Sequence, residues 1–259
     1  MPSDTPNSAY KDILDSVVPA ELQSAETRMA AVLRSSPIPD AELAENTPLF
    51  QTVRSLKRQL YLNELYQQIL PVHGVVMQFG VRWGRDIAAF DAFRTIYEPF
   101  NISRCVVGFD TFEGFPSVHE KDGGHKMMVE QGLATTKDYV NELQGVLNAR
   151  RGLDPLPQLE RCRLVQGDVT RTLPAYLERH PETIVAMAHF DLDLYAPTKA
   201  CLEALEPYLT KGSILAFDEL ASPLSPGETE ALREVWGLGR YRIQRSTRHS
   251  GQGSYLVID

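Results

Sequence analysis

Three features of the sequence predict an α/β fold with a doubly wound, Rossmann-like sheet of seven mostly parallel strands. Short apolar runs alternate with helical patterns five times between Val75 and Phe217. The apolar runs end on Gly or Asp, the residues found where open α/β sheets gather their ligands. A last helical pattern then leads into Tyr241 to Arg245 and Ser254 to Ile258, a closing hairpin that gives the sheet an antiparallel edge.

A chain of 259 residues has room for one such domain, 71–259, preceded by a helical cap, 1–70. The 34 acidic residues outnumber the 26 basic ones, and no basic stripe stands out, which argues against nucleic acid or an anionic membrane as partner. Cys105, Cys162 and Cys201 lie far apart, without metal-type spacing, and their odd number gives no disulfide framework. The first residues lack a basic n-region and an apolar core, and no apolar run approaches the ~20 residues of a membrane span. A cytoplasmic protein is expected.

Residues 1–8 are polar and read as an unstructured lead. From Ala9 to Ser35 the apolar positions recur helically, interrupted at Pro19 and ended by Pro37 and Pro39. A second helix is expected from Pro48 to Leu70, with Thr47 as N-cap and Pro48 at its first position, where a missing N–H costs nothing. Arg54, Lys57 and Arg58 mark its wet side. Its apolar stripe, Leu56 to Ile69, reads as core or as a subunit contact, and a homo-oligomer is expected.

Val75 to Phe79 then reads as the first strand, followed by Gly80 to Gly84 and a helix from Asp86 to Tyr97. Cys105 to Phe109 is the second strand, ending at Asp110. The stretch from Thr111 to Thr135 is long for a connection in a compact domain and reads as an active-site lid. A helix over 136–150, a strand over Arg163 to Gln166 and a helix over 173–179 come next. The fourth strand, beginning near Ala186, and the fifth, in G-S-I-L-A-F, are joined by one βαβ crossover, and a helix covers 227–236.

The glycines of Gln78-Phe79-Gly80-Val81-Arg82-Trp83-Gly84 sit at a strand-to-helix turn, where absent side chains let a ligand approach the backbone or simply make the turn tight. The spacing is not G-x-G-x-x-G, which disfavours a dehydrogenase. Asp110 has the place of a ribose-binding acid in a mononucleotide half, or of a turn cap. Gly167-Asp168, at the end of the third strand, faces the adenine end or caps the next helix. His189 reads as a core histidine, His119 and His125 as solvated loop residues or substrate contacts, and Trp83 and Tyr195 as aromatic packing or as contacts to a ligand.

The fourth and fifth strands, as parallel neighbours, bring Asp191, Asp193, Asp218 and Glu219 to one sheet edge. Such a cluster repels itself unless protons or a cation hold it together. It reads as a divalent-metal site that also supplies a base.

Four motifs in order, Q-F-G-V-R-W-G-R, V-V-G-F-D-T-F-E-G-F-P, H-F-D-L-D-L-Y-A-P-T-K and G-S-I-L-A-F-D-E, resemble the macrocin O-methyltransferase (TylF-like) family over about residues 50–259. Within it the chain is most similar to dTDP-6-deoxyhexose (dTDP-rhamnose) 3-O-methyltransferases of natural-product pathways, that of calicheamicin among them. The resemblance implies a class I methyltransferase fold, S-adenosylmethionine and Mg²⁺. It implies a small-molecule acceptor, a nucleotide sugar or a glycosylated natural product. By the same resemblance Gln78, Phe79, Gly80 and Gly84 hold the methionine part of the cofactor, and Asp110 and Thr111 hold the ribose. Gly167 and Asp168 lie beside the adenine, and Asp191 also faces the cofactor. Asp193 is implied as base and metal ligand, with Asp218 and Glu219 completing the ligand set. The family usually carries Glu at the place of Gln78 and Asp at that of Glu219.

A metal raises the acidity of a bound hydroxyl, which would allow Asp193 to deprotonate a sugar alcohol beside the methyl donor. Holding the two partners together supplies much of the remaining acceleration. Two rivals share the cofactor site: a catechol-type metal-dependent O-methyltransferase and a non-catalytic nucleotide-binding protein.

Overall fold

The computed structural model describes residues 20–247 and 253–259. The expected helix over 9–35 is seen as α1, Ala20–Arg34; its earlier part and residues 1–8 lie outside the described residues. A short α2, Asp40–Asn46, and a 3-10 turn, Thr47–Phe50, follow. The next helix, α3, runs Val53–Gln68 and starts five residues later than expected. Its N-cap is Thr52, whose side chain accepts from the Ser55 N–H, not Thr47. Pro48 therefore opens a tight turn rather than the helix.

Among the described residues seven strands form one sheet in the order β3-β2-β1-β4-β5-β7-β6. The strands are β1 Val75–Phe79, β2 Val106–Asp110, β3 Cys162–Gln166, β4 Val185–Phe190, β5 Leu209–Phe217, β6 Gln244–Arg245 and β7 Ser254–Val257. β1 to β5 pair in parallel, and β7 runs antiparallel to both β5 and β6, as the terminal hairpin predicts. The helices are α4 Arg85–Tyr97, α5 Tyr139–Arg151, α6 Val169–Arg179, α7 Tyr195–Leu205 and α8 Gly227–Val235. α6 starts at Val169, earlier than the expected 173, because Asp168 caps it. Pro174 sits inside it.

Sandwiched between layers of helices, β4 is buried along its whole length, and its sequence is correspondingly apolar. One core lies between the sheet and α6, α7 and α8. On the other face Tyr61, Leu62, Leu65, Tyr66 and Ile69 share a core with Val76, Ile87, Val106, Met187 and Ile214. The N-terminal segment thus contributes α3 directly to the packing of the sheet. No helix among the described residues is long and apolar enough to cross a membrane.

A row of phenylalanines levels the edge that carries the site. Phe79 pairs in register with Phe109 and Phe190, and Phe190 with Phe217. Adjacent ring centroids stand 5.2, 5.2 and 4.8 Å apart. All four rings are buried in one core. Side chains alternate along a strand, so the residue after each ring emerges on the opposite side at a common level. Those residues are Gly80, Asp110, Asp191 and Asp218.

Candidate active site

A cleft of about 600 Å³ opens at this edge, lined by residues from every βα connection between β1 and β5. Gly80 has φ of 86°, and a Cβ there would lie 1.8 Å from the Asp191 carbonyl oxygen. The glycine is needed because the end of β4 passes against the loop, which is how Asp191 comes to the cleft. Gly84 also has a positive φ, 81°, but the group its missing Cβ admits is the Leu143 side chain of α5. The missing Cβ at Gly84 thus serves helix packing, and Gly84 is not among the residues that line the cleft. Phe79 lines no part of the cleft: its ring is core, and its carbonyl accepts the Asp191 N–H.

Gln78 is buried, and its Nε2 donates to the Gly80 carbonyl at 2.8 Å. Its Oε1 is buried without a partner, although the residue lines the cleft. An unpaired buried acceptor is expensive, and an ammonium group would satisfy it. Asp110 braces the glycine loop: Oδ2 accepts from Val81 N and Arg82 N at 2.6 and 2.7 Å, and Oδ1 from Phe112 N. Thr111 closes its own turn by donating to the Gly114 carbonyl. Asp168 uses Oδ1 for the Thr170 N–H and hydroxyl, and it lines the cleft beside Gly167.

The acidic centre lies at the middle of the cleft. Asp191, Asp218 and Glu219 each offer a carboxylate oxygen, all within 4.8 Å of one another. Where the sequence reading puts Asp193 with Asp218 and Glu219, the structure gathers Asp191. The register explains it: Asp191 and Asp218 directly follow the paired Phe190 and Phe217, whereas Asp193 lies three residues past the end of β4, at a φ of 61°. Asp tolerates that left-handed conformation better than most residues. Asp193 is nonetheless part of the electrostatic cluster. Burial first, and then the charge of Asp218, raise its carboxyl to about 7. Burial, followed by neighbouring carboxylates, likewise pushes Asp191 and Glu219 well above the ordinary range. Carboxylates this crowded await a cation or protons. The donor set is all oxygen, as a hard dication prefers, and Glu219 Oε2 is buried without a protein partner. The residues fit Mg²⁺.

Three contributors were not legible in the sequence. Glu228 of α8 is fully buried and holds the acidic loops in place, accepting from Leu192 N at 3.2 Å and Glu219 N at 3.1 Å. Asp86, buried in the first turn of α4, pairs with Arg85 and Arg58. Burial alone would raise its carboxyl, but those two cations hold it far below the usual range. Arg58 corrects the sequence reading most directly. Expected on the wet side of its helix, it is 13% exposed and enters the centre to meet Asp86, Asp191 and Asp218. His189 is core, edge-on to Phe90; burial and then the charge of Arg58 lower it to about 4. Only the packing of α3 against the sheet shows which face of that helix turns inward.

The loop over 111–138 covers one end of the cleft with Gly114, Phe115, Pro116, Met127 and Leu133. It has its own small core of Phe115, Met128 and Leu194. Asp122 is 1% exposed and accepts from His119 N within the loop and from Tyr195 N at the start of α7. His119 and His125 cap turns within the loop, where their Nδ1 atoms accept backbone N–H groups. Trp83 is half-exposed at the mouth, edge-on to Tyr139.

A cofactor cleft at the carboxyl edge of a 3-2-1-4-5-7-6 sheet, with its seventh strand antiparallel, defines a class I S-adenosylmethionine-dependent methyltransferase. A crystal structure of CalS11, calicheamicin methyltransferase, is 44% identical over 92% of this chain and 93% of that one, with a TM-score of 0.89. A second, described as the apo structure of CalS11, TDP-rhamnose 3'-O-methyltransferase, is 42% identical over 92% and 95%, with a TM-score of 0.81. The chain belongs to this family, the macrocin O-methyltransferase (TylF-like) family, and is an S-adenosylmethionine-dependent O-methyltransferase. The O-methyltransferase NovP shares the fold at 22% identity over 78% of this chain and 80% of that one, with a TM-score of 0.59. No protein-family model matches the chain, and neither does any curated protein.

Proposed function

We propose that this enzyme methylates the 3-hydroxyl of a dTDP-linked 6-deoxyhexose in a natural-product pathway, with Mg²⁺ in the acidic centre. The observation that carries the chemistry is the convergence of Asp191, Asp218 and Glu219 within 4.8 Å, in a cleft that also holds Asp193. The sugar class rests on the likeness to CalS11. The positive side chains of Arg54, Arg82 and Arg85 around the cleft suit a diphosphate, in a protein whose formal charge is −8.

A sugar hydroxyl is almost wholly protonated at neutral pH, and Mg²⁺, when bound, increases its acidity. Asp193 accepts the hydroxyl proton as that oxygen takes the methyl group. Gln78 Oε1 receives the ammonium of the cofactor's methionine part, Asp110 and Thr111 form the ribose side, and Gly167 and Asp168 the adenine side. The loop over 111–138 keeps bulk water from the reacting groups.

A homo-oligomer belongs to the same reading. Leu49, Val53, Leu56 and Leu60 are 69, 78, 47 and 38% exposed along the outer side of the N-terminal helices. A second copy that covers them would remove this apolar surface from water. Sedimentation of the wild type against Val53→Glu/Leu56→Glu measures it.

A mass-spectrometric screen of nucleotide sugars and of glycosylated acceptors, with S-adenosylmethionine and either Mg²⁺ or excess chelator, tests the main proposal. A gain of one CH₂ on a dTDP-6-deoxyhexose, lost in chelator, is expected. Methylation of only aglycone-linked sugars, or full turnover in chelator, would overturn it.

A further inference from the structure

Two of the three carboxylates that converge on the cation position also accept from one guanidinium. Arg58 Nη2 is 3.2 Å from Asp191 Oδ2, and Nη1 donates to Asp218 Oδ1. The same side chain is held from behind by Asp86 Oδ2, which accepts from Nε at 3.0 Å and from Nη2 at 2.7 Å. Burial works against a charge on Arg58, but Asp218, Asp86 and Asp191 outweigh it, so the guanidinium is a permanent cation. It arrives on α3, which precedes the first strand of the sheet.

We propose that Arg58 is a built-in counter-cation of the acidic centre, competing with the divalent cation for Asp191 and Asp218 and thereby keeping that cation weakly held and exchangeable. The inference rests on the cation reading above and deepens it. Two physical effects have the same sign. Each carboxylate oxygen that accepts from Arg58 is withheld from the dication, and a fixed positive charge beside the site repels it. Asp86 sets the balance. As a buried acid that takes two of the guanidinium's donors, it draws Arg58 away from the ligands and toward α4. Arg58 is therefore a positioning residue for cation exchange, and it need not touch the substrate.

The two members of the pair should shift cation affinity in opposite directions, which a merely structural role would not do. Titration calorimetry with Mg²⁺ and Mn²⁺ on the full chain, saturated with S-adenosylhomocysteine, reads this without turnover. Arg58→Gln should bind the cation more tightly than wild type by ~10-fold or more, the scale on which groups hydrogen-bonded to metal ligands act. Arg58→Lys, which keeps the charge, should stay near wild type. Asp86→Asn, which leaves the whole guanidinium to Asp191 and Asp218, should bind more weakly. In thermal melts Arg58→Gln should lose stability without cation and regain it with Mg²⁺, by a larger upward shift than wild type shows. Should wild type bind the cation and Arg58→Gln bind it equally or less tightly, the counter-cation role is overturned while the proposed function stands. Should neither wild type nor Arg58→Gln bind it at millimolar concentration, both are overturned.

Discussion

Phe190 stacks on Phe217 with ring planes 9° apart, and this contact sets the height at which Asp191 and Asp218 leave their strands. The rings belong to the core, yet their consequence is catalytic geometry. Phe190→Ala should cost about 3–5 kcal/mol of stability, the usual price of deleting a buried ring. Phe190→Leu, which keeps most of the volume, should cost less. If the ring also levels the acids, Phe190→Leu should lower kcat more than its stability loss explains. Chemical denaturation and steady-state kinetics on the two variants check both statements.

The Asp122 carboxylate is the pin of the loop over 111–138. It accepts from Tyr195 N, 73 residues further along the chain, and from His119 N within the loop. Removing it leaves a buried N–H unpaired and releases the loop from α7. Asp122→Ala should raise the rate of limited proteolysis between His119 and Gln131 and raise KM for the acceptor. The overall melting temperature should change by only a few degrees. Unchanged cleavage would show that the small core of Phe115, Met128 and Leu194 holds the loop unaided.

The four strand ends were readable because each announces itself with the same grammar, an apolar run, Phe, then Gly or Asp: Q-F-G, G-F-D, H-F-D and A-F-D. Alternation and strand pairing convert that spelling directly into position. Arg58 was unreadable for a complementary reason. A helix presents a charged residue with the same spacing whether that face meets water or a cluster of acids. Only the docking of α3 decides, and that depends on contacts far apart in sequence. Asp193 lies in between: its motif is readable, but its distance from the trio of carboxylates depends on a left-handed turn that no periodicity encodes. Glu228 likewise gives no signal, since an acid early in a helix ordinarily serves the helix dipole.

The end of α3 is clamped by Arg104, which is 2% exposed and donates to the carbonyls of Ile69, Val72 and Gly74 and to Glu98. Burial alone would raise the Glu98 carboxyl, but hydrogen bonds from Arg104, Tyr66 and Asn101 hold it below its ordinary value. A depressed carboxylate stabilises the fold fully above its unfolded pKa, about 4.3, and that contribution is lost as the pH falls through the folded value. Glu98→Gln should therefore cost about 3 kcal/mol near pH 7, where it leaves a buried guanidinium without its counter-charge. The gap between variant and wild type should narrow below about pH 4. Urea denaturation at several pH values measures it, and a gap that does not change with pH would remove the ion pair from the account.

Asp193 separates binding from chemistry. It stands outside the trio of converging carboxylates, yet it lines the same cleft and interacts with the charge of Asp218. If its task is to take the hydroxyl proton, Asp193→Asn retains the size and removes the base. Turnover should fall by ~10²-fold or more, the scale of a lost general base. The dissociation constants for S-adenosylhomocysteine and for Mg²⁺ should stay within about threefold. A ligand role predicts otherwise: the same substitution would weaken Mg²⁺ binding by ~10-fold or more, as losing one charged ligand of a few does. Paired calorimetry and single-turnover kinetics on this one variant tell the two roles apart. Activity equal to wild type would assign the proton to another acceptor at the centre, with Glu219 the next buried carboxylate in reach of the cleft.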